Sequence, residues 1–155
     1  MEITVKEVSV NEIDKLENLM QLYLHDLSYY FPIDFNSENC KYNYDLSNYF
    51  KTNKAYFISL ENKILGFILV DINSDNIFEL SEMFVLNNYK RNNIGSLAAK
   101  QIFNLYKGGW VIKAVPNSIP AEKFWEKTVK SYTNNKYKIL RSGKYNRVEI
   151  YFDNN

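Results

Sequence analysis

The stretch that decides the fold is Glu82-Met83-Phe84-Val85-Leu86-Asn87-Asn88-Tyr89-Lys90-Arg91-Asn92-Asn93-Ile94-Gly95-Ser96-Leu97-Ala98-Ala99. An apolar, β-forming run passes through a short basic, Asn-rich turn straight into a helix whose apolar positions are Leu97, Ala98, Ile102, Phe103 and Tyr106. The first turn of a helix leaves backbone N–H groups without partners and carries a partial positive charge, so the segment offers amide donors to an anion. Lys90 and Arg91 add two full charges beside them. This is the chemistry of a phosphate-holding loop.

Outward from the loop, Ile77 to Leu86 reads as the strand that feeds it. Ala55–Leu60 and Ile64–Ile72 are β-rich runs joined by Glu61-Asn62-Lys63, which suits a hairpin. Ile3 to Val8 alternates apolar and polar residues. Asn11 is placed to cap a first helix, whose stripe of Ile13, Leu16, Leu19, Met20, Tyr23, Leu24 and Leu27 carries it to about Ser28 before Phe31-Pro32. Tyr44 to Phe50 is expected to form a short second helix. The loop's own helix is expected to end on a left-handed cap at Gly108-Gly109, followed by a buried strand, Trp110 to Val115. A last helix from about Ser118 to Val129 tolerates Pro120 in its first turn, and Tyr137–Arg141 and Arg147–Phe152 form a final antiparallel pair.

At 155 residues, with no linker-like tract, the chain is read as one domain. Lys and Arg number 19 against 18 Asp and Glu, far from the basic excess that non-specific nucleic-acid binding uses. The lone Cys40 excludes an internal disulfide, and it has no His or metal-ligand partner in a recognisable spacing. No run of about 18 apolar residues is present to cross a bilayer, and the start lacks the apolar core of a secretory signal. The expectation is a cytoplasmic protein with neither nucleic acid nor membrane as partner.

Lys90 to Gly95 resembles the acyl-CoA loop of the GNAT superfamily of N-acetyltransferases, Gln/Arg-x-x-Gly-x-Gly/Ala, departing from it at Lys90 and at Asn93. Downstream, Asn117-Ser-Ile-Pro-Ala121-Glu-Lys-Phe124-Trp125 resembles the superfamily's Asn-x-x-x-Ala-x-x-Phe-Tyr segment, and it follows after one helix and one strand. Both motifs take the form found in uncharacterised bacterial members. The resemblance implies a single α/β (α+β) domain, with a central mixed, mostly antiparallel sheet of about seven strands and about four flanking helices. It further implies acetyl-CoA as co-substrate, no metal, and transfer of the acetyl group to a primary amine by direct attack.

Carried over residue by residue, the N–H groups of Arg91, Asn92, Asn93, Ile94, Gly95 and Ser96 hold the pyrophosphate and Lys90 neutralises it. Asn93 stands where the pattern has its first Gly, and Asn is the next most tolerant residue of positive φ. Phe84 and Val85 occupy the strand end that pairs with the pantetheine arm, the Val85 N–H facing the thioester carbonyl. Glu82 is the first choice of base for the ammonium of the acceptor and Glu79 the second. Their opposite parity on a regular strand lets at most one of them point into the cleft.

Trp125 fills the place of the family's acidic Tyr, and an indole cannot protonate a thiolate. Tyr132, seven residues on, lies about 10 Å further along the helix. Asn117 is read two ways that can both hold, as a bond to the pantetheine arm and as a helix cap. His25, Asp26, Tyr29 and Tyr30 fall on the helix and loop that wall the acceptor site, although a lone His at a helix end also reads as a solvated residue favoured by the dipole. The acceptor is a small-molecule or protein amine, and the molecule a monomer or homodimer. The rival reading is a catalytically inactive, CoA-binding sensor or interaction module, favoured by Trp125 and Asn93.

Overall fold

The computed structural model describes residues 2–155. Its nine strands are β1 (Ile3–Glu7), β2 (Phe35–Asn36), β3 (Lys41–Tyr42), β4 (Lys54–Leu60), β5 (Lys63–Ile72), β6 (Ile77–Val85), β7 (Gly109–Lys113), β8 (Lys138–Ser142) and β9 (Arg147–Asp153). Three α-helices interrupt them, α1 (Ile13–Leu27), α2 (Ile94–Leu105) and α3 (Ile119–Thr133). Seven strands form one sheet in the order β1-β4-β5-β6-β7-β9-β8, and β2 and β3 form a separate small hairpin. Every pairing in the large sheet is antiparallel except β6 with β7. The sheet is therefore the mixed, mostly antiparallel one expected, with three α-helices rather than about four.

The difference lies at Tyr44–Phe50, where only a four-residue 3₁₀ turn forms, Ser47–Phe50. Lys51, at φ −124° and ψ −95°, turns the chain out of helical geometry before a second turn can follow. The start of α1 also differs. The Glu12 carboxylate accepts from the Ser9 N–H at 3.2 Å and from its hydroxyl at 2.8 Å, so Ser9 and Glu12, not Asn11, organise the entry. At the end of α2, Tyr106 is extended at φ −128°, so the helix stops without a left-handed glycine.

The two faces of the sheet are covered separately. Leu16, Met20, Tyr23, Leu24 and Leu27 of α1 pack on Phe57, Phe67, Leu69 and Phe84. On the other face, Ile94, Ala98, Ile102 and Phe103 of α2 and Trp125 and Val129 of α3 pack on Ile68, Val70, Leu80, Val85 and Ile112. Burial of the Leu, Ile, Val, Phe and Met side chains among these, each contributing about 1.5–3 kcal/mol, fixes which way the strands face.

Two irregularities shape the centre of the sheet. Between β4 and β5 the register shifts at Ile58/Ser59, leaving Leu65 as the extra residue and bringing Gly66 opposite Val85. A Cβ on Gly66 would lie far inside contact distance of the Phe84 carbonyl oxygen, a backbone atom that cannot swing away. Between β5 and β6, Leu69 pairs with Glu82 and Val70 with Leu80, so Ser81 is an extra residue on β6.

Gly66→Ala is expected to cost about 1–3 kcal/mol or more by forcing β5 and β6 apart. At this chain length that is a fall in Tm of several degrees, about 2–4 °C per kcal/mol, measured by thermal denaturation. An unchanged Tm would show that the strands can separate freely here.

Candidate active site

β6 and β7 pair only over Ile77–Gly109, Phe78–Trp110 and Glu79–Val111. Beyond Glu79, β6 stays with β5 as far as Val85, while β7 follows β9 along its whole length, so the two strands part. The Leu86 N–H donates to the Leu65 carbonyl at 2.9 Å. Because N–H directions alternate along a strand, the Val85 N–H points away from β5 and into the opening.

The opening widens into a cleft of about 870 Å³. Its walls come from Tyr23 and Leu27 of α1, Tyr30 and Phe31 after it, Glu79 through Val85, Lys90 and Gly95 of the loop, Val115 to Ala121 in part, Phe124 and Trp125, and Tyr145 and Arg147. At one end stand Lys90 and Gly95, at the start of α2. Among the described residues, no N–H from Arg91 to Ser96 donates to a protein acceptor, the first helical bond being Leu97 N–H to Asn93 carbonyl at 2.9 Å. Asn93 precedes the helix at φ 59° and ψ 13°, the left-handed conformation that its place in the loop implies. Gly95 is packed from within, since a Cβ there would lie 3.1 Å from Met83 Cε and 3.2 Å from Phe124 Cζ.

The bulge at Ser81 changes the reading of the two glutamates. Glu79 pairs with Asp71 and Glu82 with Leu69, and Asp71 and Leu69 share a face of β5. Inserting one residue cancels the parity difference, so both carboxylates line the same cleft and the expectation that only one could do so is corrected. Glu82 is held by two phenols, Tyr23 donating to Oε1 at 2.6 Å and Tyr44 to Oε2 at 3.0 Å. Burial raises its pKa above the ordinary glutamate value, and the two hydrogen bonds oppose that shift. Burial also raises Glu79, against the nearby Lys113 ammonium at 3.7 Å. Beside them Asp71 accepts from Tyr49 at 2.5 Å and from Ser81 at 3.1 Å.

Of the other expected residues, Asp26 and Tyr30 line the cleft. Tyr29 is 86% exposed outside it, and the His25 ring lies 2.9 Å from the Tyr42 hydroxyl on the β2–β3 hairpin. Asn117 donates to the Tyr30 carbonyl at 3.1 Å, tying the two loops together, while the cap of α3 is Ser118, whose hydroxyl accepts from Ala121 N–H at 3.2 Å. Trp125 is buried against Phe124. Tyr132 points to Asn104 and Asn154, away from the cleft. Tyr23, Tyr44, Tyr49, Asp71 and Arg147 were not singled out by the sequence. Asp71 had a signal, being the one charged residue inside the apolar run Ile64–Ile72.

The family model for the acetyltransferase (GNAT) family matches residues 16–129. The chain belongs to this family. No curated protein matches it in sequence. Similar solved structures include a GNAT-family acetyltransferase from Staphylococcus aureus Mu50, 16% identical, with a TM-score of 0.69 over 99% of this chain and 100% of that one. Another is a Bacillus subtilis acetyltransferase in complex with CoA, 12% identical, with a TM-score of 0.63 over 98% and 99%. A third is the spermidine N-acetyltransferase of Vibrio cholerae in complex with CoA and spermine, 11% identical, with a TM-score of 0.63 over 98% and 95%. At these identities the likeness is one of fold. No helix among the described residues of this GNAT domain is long and apolar enough to cross a membrane.

Asn93 gives a direct check on the loop. Asn93→Gly is expected to fold with unchanged or slightly raised Tm, whereas Asn93→Ala, with an ordinary Cβ at positive φ, is expected to lose about 1–2 kcal/mol. Equal Tm values for the two variants would contradict the left-handed assignment.

Proposed function

We propose that the chain is an acetyl-CoA-dependent N-acetyltransferase that passes the acetyl group to a primary amine by direct attack on the thioester. The observation that carries this reading is the parting of β6 and β7, which leaves the Val85 N–H facing a cleft that ends at the open first turn of α2. The pyrophosphate lies on the free amides of Arg91 to Ser96, with Lys90 beside it, and the pantetheine arm fills the place of a strand along β6. The fit is chemical as well as steric, since unpaired N–H groups and an ammonium suit a diphosphate and strand-edge amides suit the amide groups of pantetheine. That CoA occupies the Bacillus subtilis relative supports the same use here.

Glu82 takes the proton from the acceptor ammonium. Burial raises its pKa toward the working range of a general base, while the hydrogen bonds from Tyr23 and Tyr44 favour the carboxylate. The freed amine attacks the thioester carbon, and the oxyanion is met by the Val85 N–H, a donor of the kind worth about 3 kcal/mol in acyl transfer. The tetrahedral intermediate collapses to the amide as the C–S bond breaks; the nitrogen's second proton passes to the departing CoA thiolate, and the proton taken by Glu82 is released to solvent. Tyr23, donating to Oε1 of Glu82 at 2.6 Å, orients the base, and burial holds its own pKa well above the ordinary tyrosine value. Small-molecule amines of the kind named for the Vibrio cholerae relative support an amine acceptor.

Glu82→Gln is expected to lower kcat for thiol release by about a hundredfold or more, with CoA affinity by calorimetry nearly unchanged. Equal turnover in this variant removes Glu82 from the mechanism, and CoA binding with no thiol release from any amine in the wild type supports a sensor instead. The pH profile supplies a second test. Activity needs the Glu82 carboxylate, so it falls as pH drops through a pKa raised above 4.5. Tyr44→Phe deletes a hydrogen bond that favours the ionised form, and the acid limb should move to higher pH. A limb that stays in place or moves down would contradict the assignment.

A further inference from the structure

Apart from Lys90 in the loop, the cations lining the cleft are Lys113 and Arg147. Lys113 is taken up by Glu79 at 3.7 Å. Arg147 is not matched in this way. Its Nε donates to the Ala114 carbonyl at 2.9 Å and its Nη2 to the Lys113 carbonyl at 3.2 Å, which fixes the plane of the guanidinium across the end of β7 without neutralising it. Among the described residues it forms no ion pair and its Nη1 makes no hydrogen bond. A guanidinium has five N–H donors, and two are used.

A half-buried Arg held rigid by backbone, with free donors toward a cleft, is a carboxylate fork awaiting its partner. Glu82 is not that partner in this structure, since each of its oxygens accepts from a phenol, Tyr23 or Tyr44, and it forms no ion pair. The two groups nevertheless feel one another, because the Arg147 charge is among those that favour the ionised form of Glu82. The cleft thus presents an anion and a cation, each without an ionic partner, on opposite sides of the opening between β6 and β7.

We propose that the acceptor is an amino-carboxylate, an amino acid or a compound built like one, whose carboxylate is held by Arg147 while its amino group lies at Glu82. The inference rests on the acetyl-transfer reading and adds the class of acceptor to it. At the place of Arg147 it asks for a carboxylate rather than the second ammonium of a polyamine.

The test is thiol release from acetyl-CoA with the purified wild type and three acceptor sets, free amino acids, the corresponding amino-acid carboxamides, and spermidine. The carboxylates are expected to show kcat/KM about tenfold or more above the carboxamides, and spermidine to be poor. Because Arg147 also ties down the end of β7, this comparison decides the matter without a variant. Arg147→Met should then raise KM for the carboxylates about tenfold or more and level them with the carboxamides, leaving CoA affinity unchanged, with partial recovery in Arg147→Lys. Carboxamides or spermidine acetylated as well as the carboxylates would overturn the inference while leaving acetyl transfer intact. Thiol release from no amine, in protein that binds CoA, would overturn both.

Discussion

The site depends on one constraint, that the backbone of β6 cannot be satisfied on both sides along its whole length. Hydrogen bonds to β5 hold it through Val85, and three residues of parallel pairing hold it to β7, after which β7 remains committed to β9. A strand edge left unpaired along a cleft has N–H and C=O groups that no neighbouring strand satisfies. That edge is the natural place for an extended ligand carrying amide groups. The parting of the strands and the unpaired amides at the start of α2 lie close together in the chain, since the residues between them number only those from Leu86 to Asn93.

Around this edge the sheet is adjusted by single residues. Gly66 lets the Phe84 carbonyl approach β5, which keeps the last pair of the β5–β6 ladder closed and so holds Val85 in place. Ser81, inserted into β6, brings Glu79 and Glu82 to the same wall, where a regular strand would separate them. The resulting crowd of carboxylates is tolerated because each has its own relief: Lys113 for Glu79, Tyr49 and Ser81 for Asp71, Tyr23 and Tyr44 for Glu82. Neutral donors on Glu82 leave it a base, whereas an ion pair would have held it firmly ionised and weakly basic.

Much of this was legible in the residues. The order of strands and helices followed from periodicity, and the loop from the sequence of an apolar run, a basic turn and a helix. Asn93 is left-handed because, after Gly, Asn accepts that conformation at least cost. What could not be read depended on contacts distant in sequence. Nothing at Ser81 itself marks a bulge; the inserted residue is what lets Leu80 and Phe84, of the same parity on β6, bury on opposite faces of the sheet. Tyr44 and Tyr23 come to Glu82 from 38 and 59 residues away, and Arg147 meets the cleft only because β9 lies beside β7. The Tyr44–Phe50 segment misled because its aromatic residues serve the cleft and the core, not a helix stripe.

The central claim is that the β6 edge and the amides opening α2 grip one ligand, coenzyme A. Amide hydrogen exchange resolved by residue, with and without saturating CoA, tests it most directly. The account predicts marked slowing at Val85 and across Arg91 to Ser96, with little change at the far edges of the sheet in β1 and β8. Exchange at these amides that is unaltered by CoA would contradict it.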